Sequence, residues 1–152
     1  MKKADILVIA LILILSVGFY AIYFSNNLII NDDSTYKIEI YYKNELIYNV
    51  ELTEDINERV NIITKNNELF VNIDSDGDGN YDDILGPNTV NDNREILNTV
   101  KIEYGHVHME DANCANKLCL NMKIGRTLST PIFCTNDILV KLVTEEYNII
   151  TG

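Results

Sequence analysis

The sequence predicts an all-β protein, a small antiparallel barrel or sandwich preceded by one N-terminal transmembrane helix. Three observations carry this expectation. Residues 6–24 hold no charge at all. Beyond them the hydrophobic periodicity is mostly two, the mark of half-buried strands. Turns rich in Asn and Asp then break the pattern every ~8–12 residues, the rhythm of sandwiches and barrels.

The charge-free run, Ile6 to Phe24, is built from Ile, Leu, Val, Ala, Phe and Tyr with one Ser and one Gly. As a helix rising about 1.5 Å per residue it spans roughly 28 Å, close to the ~30 Å hydrocarbon core of a bilayer. Tyr20, Tyr23 and Phe24 cluster at its far end, as an interfacial aromatic belt does. Lys2 and Lys3 precede it and Asp32 and Asp33 follow, so the positive-inside bias keeps the N-terminus cytoplasmic and exports the rest. A cleaved signal peptide is the competing reading. The run is longer than the usual apolar core of such a peptide, and no A-x-A-like site follows it. The organisation expected is a cytoplasmic tail at 1–5, an anchor at 6–25, a linker at 26–35 and a β domain from 36 to 152.

The chain carries 12 Lys+Arg against 23 Asp+Glu, a formal net charge of −11. Lys2, Lys3 and Asp5 are the only charges before residue 31, so residues 31–152 hold 10 basic and 22 acidic side chains, net −12. Such a surface repels phosphate backbones and disfavours nucleic acid as a partner; it suits cations.

Within the exported part, Tyr36–Tyr42 reads as a strand, with Ile38 and Ile40 on one face and Lys37 and Glu39 on the other. Lys43-Asn44-Glu45 turns the chain, and Leu46–Leu52 returns as a hairpin partner. Val60–Ile63 and Leu69–Ile73 flank Lys65-Asn66-Asn67, a second hairpin signal. Asp92–Leu97 could form one helical turn. Val100–Tyr104 and His106–Met109 flank Gly105. Ile132–Cys134 and Ile138–Val143 flank Thr135-Asn136-Asp137. Seven or eight short strands result, and about 120 residues suffice for one modest core.

The sharpest motif is Asp74-Ser75-Asp76-Gly77-Asp78-Gly79-Asn80-Tyr81-Asp82-Asp83. Acids at positions 1, 3 and 5 followed by Gly at 6 match the opening of an EF-hand-type calcium loop. Calcium takes 6–8 hard oxygen ligands, and alternate residues of a tight loop can turn their carboxylates inward. Gly79 allows the positive φ of the sharp turn. Asn80 would offer its backbone carbonyl, and Asp82 would bind directly or through water. Position 12 is Leu85, where a bidentate Glu belongs, so Asp83 is the candidate substitute. The loop looks more like the D-x-D-x-D-G-x-x-D loops of thrombospondin type 3-like repeats. A solvated acidic hairpin turn is the plain alternative, because Asp-Gly is also a turn dipeptide. Five carboxylates in ten residues without a basic neighbour in sequence favour a cation. Asp74, Asp76, Asp78, Asn80, Asp82 and Asp83 are the expected calcium ligands.

Cys114, Cys119 and Cys134 do not form a C-x-x-C, so neither a thioredoxin-type site nor a zinc ribbon is indicated. Outside the membrane a disulfide is permitted, with one thiol left over. Three buried thiols, or redox or metal chemistry, are the alternatives. His106 and His108 alternate on a strand and share a face; with a thiol they could hold copper or zinc. No Ser-His-Asp order, phosphate loop or catalytic carboxylate pair can be defended.

The stretch Gly105-His106-Val107-His108-Met109-Glu110-Asp111-Ala112-Asn113-Cys114-Ala115-Asn116-Lys117-Leu118-Cys119 resembles the C-terminal half of NusG domain II-containing proteins, small membrane-anchored bacterial proteins. Their pattern is roughly G-x-V-x-x-x-x-A-x-C-P-D-K-x-C, then a Gly-rich turn, then I-V-C-L-P-N and an apolar strand. Ile132-Phe133-Cys134-Thr135-Asn136, followed by Ile138-Leu139-Val140, fills the later part, and the opening Met1-Lys2-Lys3-Ala4-Asp5-Ile6 is also similar. Ala115-Asn116 replace Pro-Asp, Thr135 replaces Leu-Pro, and residues 74–95 stand as an insertion. The resemblance implies a compact, barrel-like β domain and no transcriptional role. Some members are linked to membrane flavin or quinone electron-transfer systems.

The function expected is therefore a membrane-anchored, extracytoplasmic, calcium-binding β-domain without intrinsic catalysis, acting as a binding or accessory module of a membrane protein complex. The alternative is a redox accessory protein of a flavin or quinone system, using the cysteine cluster.

Overall fold

The computed structural model describes residues 12–20, 35–125 and 130–145. The chain divides into two compact units, Met1–Ser34 and Thr35–Gly152. In the first, residues 12–20 are helical, with side chains such as Ile14 and Phe19 exposed. Among the described residues no helix is long and apolar enough to cross a membrane, so a full transmembrane helix is not supported there. The ends of the expected anchor, 6–11 and 21–25, lie outside the described residues, as do the tail at 1–5 and the linker from 26 to 34.

The described residues of the second unit are mostly antiparallel β. Ten strands are β1 (Thr35–Tyr42), β2 (Glu45–Glu51), β3 (Asn57–Lys65), β4 (Glu68–Asp74), β5 (Asp83–Thr89), β6 (Ile96–Glu103), β7 (His106–Ala112), β8 (Lys123–Gly125), β9 (Ile132–Cys134) and β10 (Ile138–Glu145). They form a four-stranded sheet ordered β2-β1-β10-β9 and a six-stranded sheet ordered β5-β4-β3-β6-β7-β8. The sheets share one core. Ile38 and Ile40 of the first and Val60, Ile62, Val100 and Ile102 of the second are all fully buried within it. Alternation explains why: each pair sits two residues apart, so both members face inward.

Two turns are set by local chemistry. Lys43 and Asn44 have φ of 49° and 67°, and Asn66 and Asn67 have 54° and 64°. Consecutive left-handed residues make the two-residue hairpin turn whose twist suits the flanking strands, and Asn tolerates that region. The register follows, with Lys65 opposite Glu68 and Tyr42 opposite Glu45.

Three details differ from the sequence expectation. Residues 92–97 form no helical turn; Ile96 and Leu97 already belong to β6, with Ile96 buried. Asp92 is instead held by Arg94 two residues on and by Tyr42 and Lys43 from the first hairpin. It accepts the Tyr42 hydroxyl at 2.7 Å and the Arg94 side chain, and pairs with Lys43 at 2.9 Å. β5 and β8 are additional strands. β5 is an edge strand, exposed along its length and carrying Pro87, so no inward/outward alternation marks it in the sequence. Finally, a short 3₁₀ turn, Leu118–Asn121, lies between β7 and β8.

Candidate functional site

The acidic motif is the tip of the β4–β5 hairpin. Asp74 ends β4 and Asp83 begins β5; Ile73 pairs with Asp83, and the Asp82 N–H reaches the Ile73 carbonyl at 2.8 Å. This placement explains the departure from an EF-hand. Leu85, at loop position 12, is opposite Val71 in the ladder. A strand-paired residue cannot fold back over a loop as a twelfth-position ligand does.

Within the tip, Asp74, Asp76 and Asp78 each present an oxygen, and these three atoms lie within 4.8 Å of one another. Asp74 is 1 % exposed and organises the turn. One of its oxygens accepts the Gly77 N–H at 2.7 Å, the other the Gly79 N–H at 3.0 Å. Both glycines have positive φ, 76° and 96°. The Asp76 carboxylate accepts the Asp78 N–H at 3.0 Å, and that of Asp78 accepts the Asn80 N–H at 2.7 Å. Alternate residues thus repeat one local turn, which is what brings their carboxylates together.

The other expected ligands are employed elsewhere. Asp82 turns back to Ser75 and accepts both its hydroxyl and, at 2.8 Å, its N–H. Those bonds hold the Asp82 carboxyl below its usual value. Asp83 accepts the Ile84 N–H at 2.8 Å, and the Asn80 side chain donates to Asp78 at 3.0 Å. The tip thus brings together the carboxylates of Asp74, Asp76 and Asp78, while those of Asp82 and Asp83 accept bonds from Ser75 and Ile84.

The fold also supplies the basic neighbours that the local sequence lacks. Asp74 is opposite Arg59, Arg59 opposite Lys101, Lys101 opposite His108, and His108 opposite Lys123. Directly opposed residues share a face, so these side chains form a row on the outer face of the six-stranded sheet. The loop folds onto this row. Arg59 lies 3.8 Å from the Asp74 carboxylate and donates to the Gly77 carbonyl at 3.1 Å. Lys101, only 6 % exposed, bonds the Asn57 side-chain oxygen, and Asn57 donates to the Asp76 carbonyl at 2.9 Å. Arg59 and Lys101 thus offset part of the loop's charge. No sequence pattern announces them, because they lie 15 or more residues from the loop and meet it only through the ladder.

A second cluster lies in the core. Cys114 follows β7, Cys119 sits in the 3₁₀ turn, and Cys134 ends β9. Their Sγ atoms are 3.5 Å (Cys114–Cys119) and 3.3 Å (Cys119–Cys134) apart. A disulfide needs about 2.05 Å, so the expected bridge is corrected: all three are buried free thiols. Asn98 donates to the Cys134 sulfur at 3.2 Å and to the Met109 sulfur at 3.4 Å. Asn136 in turn donates to Asn98 at 2.7 Å and to Asn113 at 2.9 Å. Burial pushes the Cys114 thiol up, but bonds from Cys119, Cys134, the Lys117 N–H and Thr135 outweigh it and leave Cys114 below its usual value. Burial, then its two sulfur neighbours, drive Cys119 well above.

His106 and His108 do share a face, and their rings stack at 4.7 Å. They join neither cluster among the described residues, so a mixed histidine–thiol metal site does not assemble. Burial and the neighbouring His106 hold His108 below its usual pKa. Comparison with protein families, with curated proteins and with solved structures finds no match. The resemblance to NusG domain II-containing proteins rests on the quoted residues alone.

Proposed function

We propose that this chain is a membrane-tethered, extracytoplasmic β-domain that binds calcium at the β4–β5 hairpin tip and serves as a binding or accessory module without chemistry of its own. The carrying observation is the convergence of Asp74, Asp76 and Asp78, whose ligand oxygens lie within 4.8 Å. Each Asp74 oxygen accepts one N–H and so retains a lone pair for a cation. Hard carboxylate oxygens on a glycine-containing loop are the donors calcium prefers, with water completing its shell. Arg59 beside Asp74, and the absence of an acid at position 12, support an affinity at the weak end, a Kd of ~10⁻⁴–10⁻³ M as in extracellular modules. The charge-free run at 6–24, with lysines before it and aspartates after it, supports the tether and its orientation.

Titration calorimetry of the full chain with calcium, set against the Asp76→Asn variant, tests the site. A saturable heat that weakens in the variant is expected; no heat in either chain refutes the calcium reading. Cell fractionation tests the tether separately, with a shortened product in the medium as the refuting outcome.

A further inference from the structure

The thiol cluster stands apart from the calcium reading and does not depend on it. Cys114, Cys119 and Cys134 arrive from three different segments, yet all three sulfur atoms lie within 4.8 Å of one another. Cysteines acting only as small core fillers have no reason to converge in this way.

A donor is also aimed at the cluster. The Asn98 amide bonds Cys134 at 3.2 Å, and Asn136 holds Asn98 in place at 2.7 Å. Lys117 adopts φ 50° and ψ 19°, a left-handed conformation unusual for a residue with a Cβ. That conformation sits between Cys114 and Cys119, and strained backbone of this kind collects at ligand clamps. Donors directed at sulfur favour the thiolate, the form that binds metals.

We propose that Cys114, Cys119 and Cys134 form a three-coordinate site for a soft, thiophilic cation, and that this cation is Cu(I). Thiolates select soft ions, and the carboxylates of the hairpin tip do not compete for them. Zinc wants four donors, and among the described residues no His, Asp or Glu completes the sulfur triangle. Cu(I) is satisfied by three. Each thiol that becomes a ligand gives up its proton to solvent, and no oxidation state changes. The amide donor of Asn98 offsets part of the negative charge that three thiolates leave on the site. Residues 115–118, which cross the cluster between Cys114 and Cys119, are exposed and provide the path of entry.

The test is anaerobic titration of the reduced full chain with Cu(I) against a chromogenic Cu(I) chelator, calcium being present throughout. One tightly held Cu(I) per chain is expected. In Cys119→Ser the affinity should fall by about 100-fold or more, since even outer partners of metal ligands are worth 10–100-fold. X-ray absorption of the wild-type complex should show three sulfur neighbours and no nitrogen or oxygen. It needs no variant, so it decides the matter if Cys119→Ser fails to fold. Loss of all copper to the competitor, undiminished binding by a folded Cys119→Ser, a nitrogen or oxygen ligand, or tight zinc binding in place of copper would each overturn the proposal.

Discussion

Withdrawing calcium should destabilise the β unit by an amount that the loop geometry sets. Three carboxylates converge, Leu85 is locked in a strand at position 12, and Arg59 lies 3.8 Å from Asp74. These features argue for a Kd near 10⁻⁴ M, on the order of the weak extracellular sites. At ~1 mM calcium such a site stabilises the fold by about 1.4 kcal/mol. For a unit of this size that corresponds to roughly 4–6 °C in melting temperature. Asp78→Asn isolates the charge. Asparagine keeps an oxygen to accept the Asn80 N–H, so the local turn survives while one of three carboxylates is lost. If that weakens binding about tenfold, to ~1 mM, the calcium stabilisation drops to about 0.4 kcal/mol and the shift to roughly 1–2 °C. Circular-dichroism melts of the full chain in calcium, in magnesium and in EDTA measure all of this. Equal melting temperatures in calcium and EDTA, or an equal calcium shift in wild type and Asp78→Asn, would refute the reasoning.

Three further outcomes are expected. Gly77→Ala should cost about 1–3 kcal/mol, because φ is +76° there and a Cβ would stand 2.6 Å from the Asn57 amide nitrogen. Chemical denaturation measures that loss; a neutral substitution would mean the tip does not rest on Asn57. Ile62→Ala should cost about 2–5 kcal/mol, because Ile62 is wholly buried where the two sheets meet in one core. A cost below 1 kcal/mol, read the same way, would argue against that shared core. Asp92→Asn should cost about 1.5–3 kcal/mol at neutral pH, the range for hydrogen bonds to charged groups. Its carboxyl is held far below the usual range, by Arg94 first and then by the Tyr42 hydroxyl. A depressed carboxylate stabilises fully above its unfolded pKa of ~4 and loses that contribution as pH falls further. The acid limb of stability should therefore be shallower in Asp92→Asn; identical pH profiles would count against the network.

The fold was largely legible because it is encoded locally. Two-residue periodicity places Ile38, Ile40, Val60 and Ile62 inside, and Asn-rich turns mark the hairpins at 43–44 and 66–67. What escaped had no local signal. β5 is an exposed edge strand interrupted by Gly86-Pro87, so it lacks alternation. β8 is three residues long, too short to show a period. Asp92 followed by a charged stretch resembles a helix start, yet its side chain is claimed by Tyr42, 50 residues away. The acidic loop could be read as a unit because its ligands are sequence neighbours. Its basic neighbours, Arg59 beside Asp74 and Lys101 beside Asn57, reach it only across strand pairs.

The two clusters divide along the same line of reasoning. On β6, Asn98 faces the core and touches Cys134, whereas Lys101 faces outward beneath the acidic tip. Positions whose numbers differ by an odd count face opposite sides of a strand, so one strand serves both clusters without bringing them together. The outer cluster offers hard oxygens in contact with water, where ligand exchange is cheap and affinity is weak. The inner one offers soft sulfurs removed from water. On the two proposed readings the domain responds to one cation at its surface and retains another in its core. The separation is testable in one sample: calcium should leave the Cu(I) affinity unchanged, and Cu(I) should leave the calcium melting shift unchanged. Reciprocal coupling is a thermodynamic necessity if the sites communicate, so a change in one direction without the other would expose an artefact, and equal changes in both would show that the two sites are linked.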